Sequence, residues 1–165
     1  MPTTLTRRTG HYERNLPSKK IYAQTLSIAL GSFLIVLGLS GILTPEFMGL
    51  HLSAMHSLVL TASGILSIWS GTSNAVGRVY YTCLGLCIFF ALHTFVGFLM
   101  GEPGTPSVGY DAPDELLVRI APGFLELGTA DHVLHFLLAT FYFTGVLSLN
   151  KNSREKKSGG SARGM

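Results

Sequence analysis

Hydrophobic positions along the chain gather into four long runs, residues 22–43, 50–70, 79–100 and 129–149. Polar, glycine- and proline-bearing breaks separate them. The first three runs hold no Asp, Glu, Lys or Arg, apart from Glu46 and Arg78 in the breaks beside them, and the fourth holds only Asp131. A bilayer core of about 30 Å takes about 20 apolar residues in helical form, and each run has about that length. None alternates with a period of two, so the pattern predicts helices rather than strands. A helix also pairs its backbone polar groups within one segment, as hydrocarbon demands. The expected fold is an all-α, integral-membrane four-helix bundle. The four-span domain covers 21–149, between basic tails at 1–20 and 150–165.

The break at 101–128 is the one long connection. Its opening, Glu102-Pro-Gly-Thr-Pro, is turn material. Pro113-Asp114-Glu115 then leads into Leu116-Leu-Val-Arg-Ile-Ala, closed by Pro122-Gly123. Acidic residues before an apolar run and Pro-Gly after it punctuate helices. Leu116, Leu117, Ile120 and Phe124 would share one face. The spacing predicts a short amphipathic helix lying on the outer surface between spans three and four.

Composition agrees with a membrane solvent. The 165 residues are 47% hydrophobic and 13% charged, about half the charged share of a soluble domain. This excludes a disordered chain, a disulfide scaffold and an ordinary soluble enzyme. The pI is 9.0, yet the basic residues sit at the ends rather than in a patch, so no nucleic-acid partner is expected.

Charge adds orientation. Arg7, Arg8, Arg14, Lys19 and Lys20 precede span one, Arg78 follows span two, and Lys151, Arg154, Lys156, Lys157 and Arg163 follow span four. Eleven of the twelve basic residues thus fall on one side of a four-span chain, and Arg119 alone on the other. The positive-inside rule places both tails in the cytoplasm and the chain in the cytoplasmic membrane. The first run is too long for a signal peptide and lacks a small-residue cleavage site, so it is expected to stay as a span. Trp69, Tyr80, Tyr81 and Tyr22 fit an aromatic belt at the inner boundary.

Ionisable groups inside spans are costly and face the bundle interior. At 1.5 Å per residue, His56 and His135 lie about 9 Å, and His93 about 10 Å, below the outer edge. Three helices then deliver imidazoles to one layer, with His51, Asp131 and His132 just above it. Small residues flank them: Ser53, Ser57, Gly64 and Ser67 in span two, Gly97 in span three, with Tyr142 and Gly145 further along span four. Small residues mark close helix contact in membranes.

The cluster admits three uses. It can fix helix pairing by interhelical hydrogen bonds. It can hold haem b or a divalent metal, with His56 and His135 as the ligand pair and Asp131 orienting His135. It can pass protons, although the inner half offers only Tyr142, Thr82, Ser67 and two cysteines as polar partners. Cys83 and Cys87, four apart on one helix, cannot form a good disulfide and read as packing residues. Phosphate-loop, zincin and nucleophile-elbow motifs are absent from the chain.

Four short motifs follow in order: Gly38-Leu-Ser-Gly-Ile-Leu, Leu52-Ser-Ala-Met-His56 through Gly64, Ala75-Val-Gly-Arg78-Val-Tyr80, and Ala130-Asp131-His-Val-Leu-His135. In this the chain resembles a family of small bacterial four-span membrane proteins, the domain-of-unknown-function 4383 group. The resemblance implies a four-helix bundle with His56, Arg78, Asp131 and His135 as signature positions, and it implies no activity. That family carries Asn where Ser53 stands. The leading expectation is a non-enzymatic structural or accessory membrane component. The alternative is a bis-histidine haem or metal protein in electron transfer, with an enzyme or transporter third. Expected partners are the lipid bilayer, other membrane subunits or a second copy.

Overall fold

The computed structural model describes residues 15–47, 49–107 and 112–160, with backbone alone for 15–18, 46 and 150–160. Arg7, Arg8, Arg14 and Arg163 lie outside the described residues.

Small residues build the first hairpin. Helix α1 (Asn15–Leu43) and helix α2 (Ala54–Gly71) pack antiparallel. At their crossing, a Cβ on Gly31 would lie 2.7 Å from the Gly64 carbonyl oxygen, and one on Gly64 would lie 2.6 Å from that of Gly31. Nothing larger than glycine fits at either place. Gly38 and Gly41 continue the contact toward Thr61, Ser57 and Leu52, and Gly71 meets Gln24 and Ser27 at the other end. Pro17 stands in the first turn of α1, where its missing N–H costs no intrahelical bond. Between the helices, strands β1 (Glu46–Phe47) and β2 (Leu50–His51) form a small antiparallel hairpin. Gly49 turns it with φ 79°, a left-handed conformation natural to glycine.

Helix α3 (Val76–Met100) and helix α4 (Thr129–Gly160) form the second antiparallel pair. The His132 ring covers Gly97 near one end, and Cys83 lies beside Gly145 near the other. The two hairpins meet mainly where α1 lies against α4, while α2 and α3 touch along little of their length. Leu34, Leu60, Phe90, Leu138 and Tyr142 form the centre of the core.

Three helical stretches, Lys19–Leu43, Val76–Met100 and Thr129–Leu149, are long and apolar enough to cross a membrane. Helix α2 has 18 residues, about 27 Å. It begins later than the apolar run at 50–70 because Leu50 and His51 belong to β2 and Ser53 caps the helix. Helix α4 continues past Leu149 to Gly160, so the expected polar tail starts as helix.

The connection after α3 corrects the sequence reading. It is a three-stranded antiparallel sheet in the order β3 (Glu102–Gly104), β4 (Asp114–Ala121), β5 (Leu125–Leu127), and not an amphipathic helix. Val118 pairs with Leu127 and Arg119 with Glu126. The physical reason lies in the flanks. A run of eight residues is too short to hold helix without tertiary support. Pro122-Gly123, with Gly123 at φ 73°, instead turns the chain so that β5 pairs with β4. Val118 and Ile120 are β-branched and suit the strand. Leu117 is buried while Ile120 and Phe124 are exposed, so the expected helical face does not exist.

Candidate functional site

The polar residues of the bundle meet at the sheet end, where β2, the start of α2, the middle of α3 and the start of α4 converge. Helix α4 opens with a cap supplied from inside its first turn. Asp131 stands three residues into the helix, and its Oδ2 accepts the Gly128 N–H at 2.8 Å. The same oxygen accepts the His51 N–H at 3.2 Å, which ties α4 to the β-hairpin of the other half. Its Oδ1 lies 3.7 Å from His56 Nδ1. Asp131 is fully buried.

His56 is positioned by its own helix start. Ser53 is the N-cap of α2, and its Oγ accepts the His56 N–H at 3.4 Å. His56 Nδ1 lies 2.8 Å from the His51 carbonyl oxygen. A carbonyl only accepts, so Nδ1 carries a proton and donates it there. The His56 ring meets the His135 ring edge to face, with centroids 5.5 Å apart. His93, held by Nδ1–H donation to the Phe89 carbonyl at 2.9 Å, meets His135 at the same centroid distance. Imidazoles from α2, α3 and α4 are thus in one contact group. Phe90 stacks on His135 at 5.5 Å and on Tyr142 at 6.1 Å, which closes the group from below.

The other expected residues lie elsewhere. His132 turns away from His56 and donates its Nε2–H to the Leu116 carbonyl at 2.8 Å, so it anchors β4. Tyr142 belongs to a second buried layer: its hydroxyl donates to Ser67 at 2.9 Å, and Ser67 donates to the Ser27 carbonyl at 2.8 Å. Ser27 Oγ lies 3.3 Å from Cys83 Sγ. Arg78 stands at the opposite end of the bundle, its guanidinium 4.5 Å above the Trp69 ring.

Two carboxylates of the sheet were not expected: Asp114 borders the site, and Glu126 lies within the sheet. Asp114 in β4 accepts the Thr129 N–H at 3.0 Å, the Thr129 hydroxyl at 2.6 Å and the Leu116 N–H at 2.9 Å. It also lies 3.5 Å from His51 Nε2. Burial pushes its carboxyl up, but these hydrogen bonds outweigh burial and hold it below the usual carboxylate range. Glu126 in β5 is buried and accepts the N–H and the hydroxyl of Ser107, each at 2.6 Å, and the Gly123 N–H at 3.1 Å. Burial raises its carboxyl, and the bonds from Ser107 and Gly123, with Arg119 nearby, lower it on balance. The β-pairing sets Asp114 beside Thr129 and His51, and Glu126 beside Arg119 and Ser107, so helical spacing carried no sign of either contact.

The geometry limits the chemistry. A bis-histidine haem needs the macrocycle between its two imidazoles. Here the His56 and His135 rings touch and Phe90 covers one of them, which leaves no slot between the pair. Among the described residues, no group of three or more His, Cys, Asp or Glu is arranged to hold a metal ion. His56 Nε2, Asp131 Oδ1, His132 Nδ1 and His135 Nδ1 are buried without a hydrogen-bond partner among the described residues. Such atoms cost about 1–3 kcal/mol each when left unpaired. No family model, curated protein or solved structure matches this chain.

Proposed function

We propose that the chain is a four-span protein of the cytoplasmic membrane, with both tails on the cytoplasmic side, that serves as a structural or accessory component rather than an enzyme. The observation that carries this reading is the inverted distribution of polarity in α2. His56, Ser57, Ser63, Ser67 and Ser70 are buried, while Leu58, Ile65, Leu66 and Trp69 are exposed. A helix with hydroxyls inside and aliphatic side chains outside suits lipid, so α2 is a span alongside the three longer helices. The start of α1, Arg78 and the end of α4 share one end of the bundle, which supports the orientation from charge.

Polar contacts join the two hairpins: His51 to Asp131 and Asp114, His56 to Asp131 and His135, Ser67 to Tyr142 and Ser27 to Cys83. In lipid, where apolar contact gives no preference for protein over acyl chain, such pairs decide which helices associate. The resemblance to the small bacterial four-span family belongs to the same proposal, as does assembly with other membrane subunits or a second copy.

A double-mutant cycle on His56→Ala and Asp131→Ala tests the role of the cluster. Reversible unfolding in detergent is expected to give a coupling of about 0.6–1.7 kcal/mol, the range of interhelical polar pairs in membranes. Coupling near zero would remove the cluster as the link between hairpins.

A further inference from the structure

Helices α2 and α3 are joined by a short loop, yet they separate soon after it. The space between them is a groove of about 510 Å³ lined by Ser63, Leu66, Arg78, Tyr81, Gly85 and Phe89. It stays open at Gly85, where an added Cβ would meet nothing within 4 Å. Arg78 marks its end on the tail side and Phe89 its other end. Arg78 and Phe89 are eleven positions apart on one helix, about 16 Å, which is about half of a hydrocarbon core of about 30 Å. The groove therefore runs the depth of one leaflet.

Its two ends differ in chemistry. The inner part is aliphatic and aromatic, from Leu66, Leu86 and Phe89. The mouth holds the Arg78 guanidinium, exposed and held over Trp69 by a cation–π contact. Among the described residues no carboxylate pairs with Arg78. Trp69 and Tyr81 are both exposed beside it, as aromatic side chains are at a headgroup boundary. A guanidinium with unpaired donors matches a phosphate in a bidentate fork. A cation at the rim, an aromatic collar and an apolar furrow one leaflet deep fit one molecule.

We infer that the α2–α3 groove is a binding site for an anionic phospholipid of the leaflet on the tail side. The phosphate sits on Arg78 and one acyl chain lies along Tyr81 and Gly85 to Phe89. The site rests on the membrane reading above. It also explains why α2 and α3 need not touch: the acyl chain fills the interval beside Ser63.

The chain's single tryptophan is the probe, because Trp69 stands at the mouth. The full-length protein is placed in phosphatidylcholine vesicles in which either phosphatidylglycerol or phosphatidylcholine carries bromine near the carbonyl end of one chain. Quenching is normalised to each variant's own unbrominated signal. Brominated phosphatidylglycerol is expected to quench as though bound about fivefold more tightly, the ratio given by one basic residue at an anionic surface. Arg78→Gln is expected to bring the ratio close to one, and Arg78→Lys to keep part of it. Gly85→Leu, at an open position that tolerates a side chain, is expected to lower the ratio by blocking the furrow.

Equal quenching by the two lipids overturns the site. So does a preference left undiminished by either Arg78→Gln or Gly85→Leu. A Trp69 shielded from both lipids in a membrane-bound dimer assigns the groove to a second copy and likewise overturns it. Protein that stays out of the vesicles altogether defeats the membrane reading itself, which is a distinguishable failure.

Discussion

The Asp131 carboxylate accepts the backbone N–H of His51 at 3.2 Å, between residues 80 positions apart and from opposite hairpins. The same oxygen also accepts the Gly128 N–H, so one acid caps α4 and holds the β-hairpin of the other half. Asp131→Ala leaves both donors buried and unpaired. The expected loss is about 2–4 kcal/mol, read from thermal unfolding in detergent. Asp131→Asn keeps an acceptor and should lose less. Equal losses for the two variants would mean that the carboxylate acts through something other than these bonds.

The crossing of α1 and α2 leaves no room at Gly31 and Gly64. Gly64→Val should destabilise by about 1–3 kcal/mol, as overpacked cores do. Gly77→Ala is the control. It faces open space in the first turn of α3, where Ala should be neutral or stabilising by up to about 1 kcal/mol. Comparable losses at the two positions would contradict the packing described here.

Tyr142→Phe removes one hydroxyl from the Ser67–Ser27 layer and keeps the ring on Phe90. The expected cost is about 0.6 kcal/mol and no more than about 1.7 kcal/mol. Tyr142→Ala also opens a cavity, and should cost about 3–5 kcal/mol, as for truncation of a buried aromatic side chain. Unfolding midpoints of the two variants check the order.

Acid should loosen the sheet end before the bundle. Asp114 and Glu126 are held below their ordinary values of 3.8 and 4.5. The unfolded chain therefore binds protons more readily than the folded one. The stability the two acids contribute is fully present above those ordinary values and is lost as pH falls through the lowered folded values. Amide exchange in β4 and β5 should accelerate over that window while the core of α1 stays protected. In Asp114→Asn the acceleration of β4 should flatten. Loss of protection that begins near neutral pH in β4 would assign it to other groups.

The helices were legible because a run of about 20 apolar residues admits few alternatives. The heights of His56, His93 and His135 follow from the rise per residue, and the three rings lie in one contact group. What the sequence hid was long-range pairing. Asp114 reaches Thr129 and His51 only because β4 is a strand, and its acidic flank reads locally as a helix start. His132 shares a helix side with Asp131 on a wheel, but β4 offers the Leu116 carbonyl and draws the ring to it. Ser27 looks like one more small residue of α1. Its place beside Cys83 depends on how the two hairpins dock, which no local pattern encodes.

The most direct test of the account asks whether α2 crosses the membrane. Single cysteines at Thr44 and Asn74, both exposed, report on the two ends of α2. Cys83 and Cys87 are replaced by Ser in both variants, so that each chain carries one thiol. In intact cells, Thr44→Cys should react with a membrane-impermeant maleimide, and Asn74→Cys should react only after permeabilisation. Reaction of both from outside, or of neither, would place the two ends on one side and contradict a four-span chain.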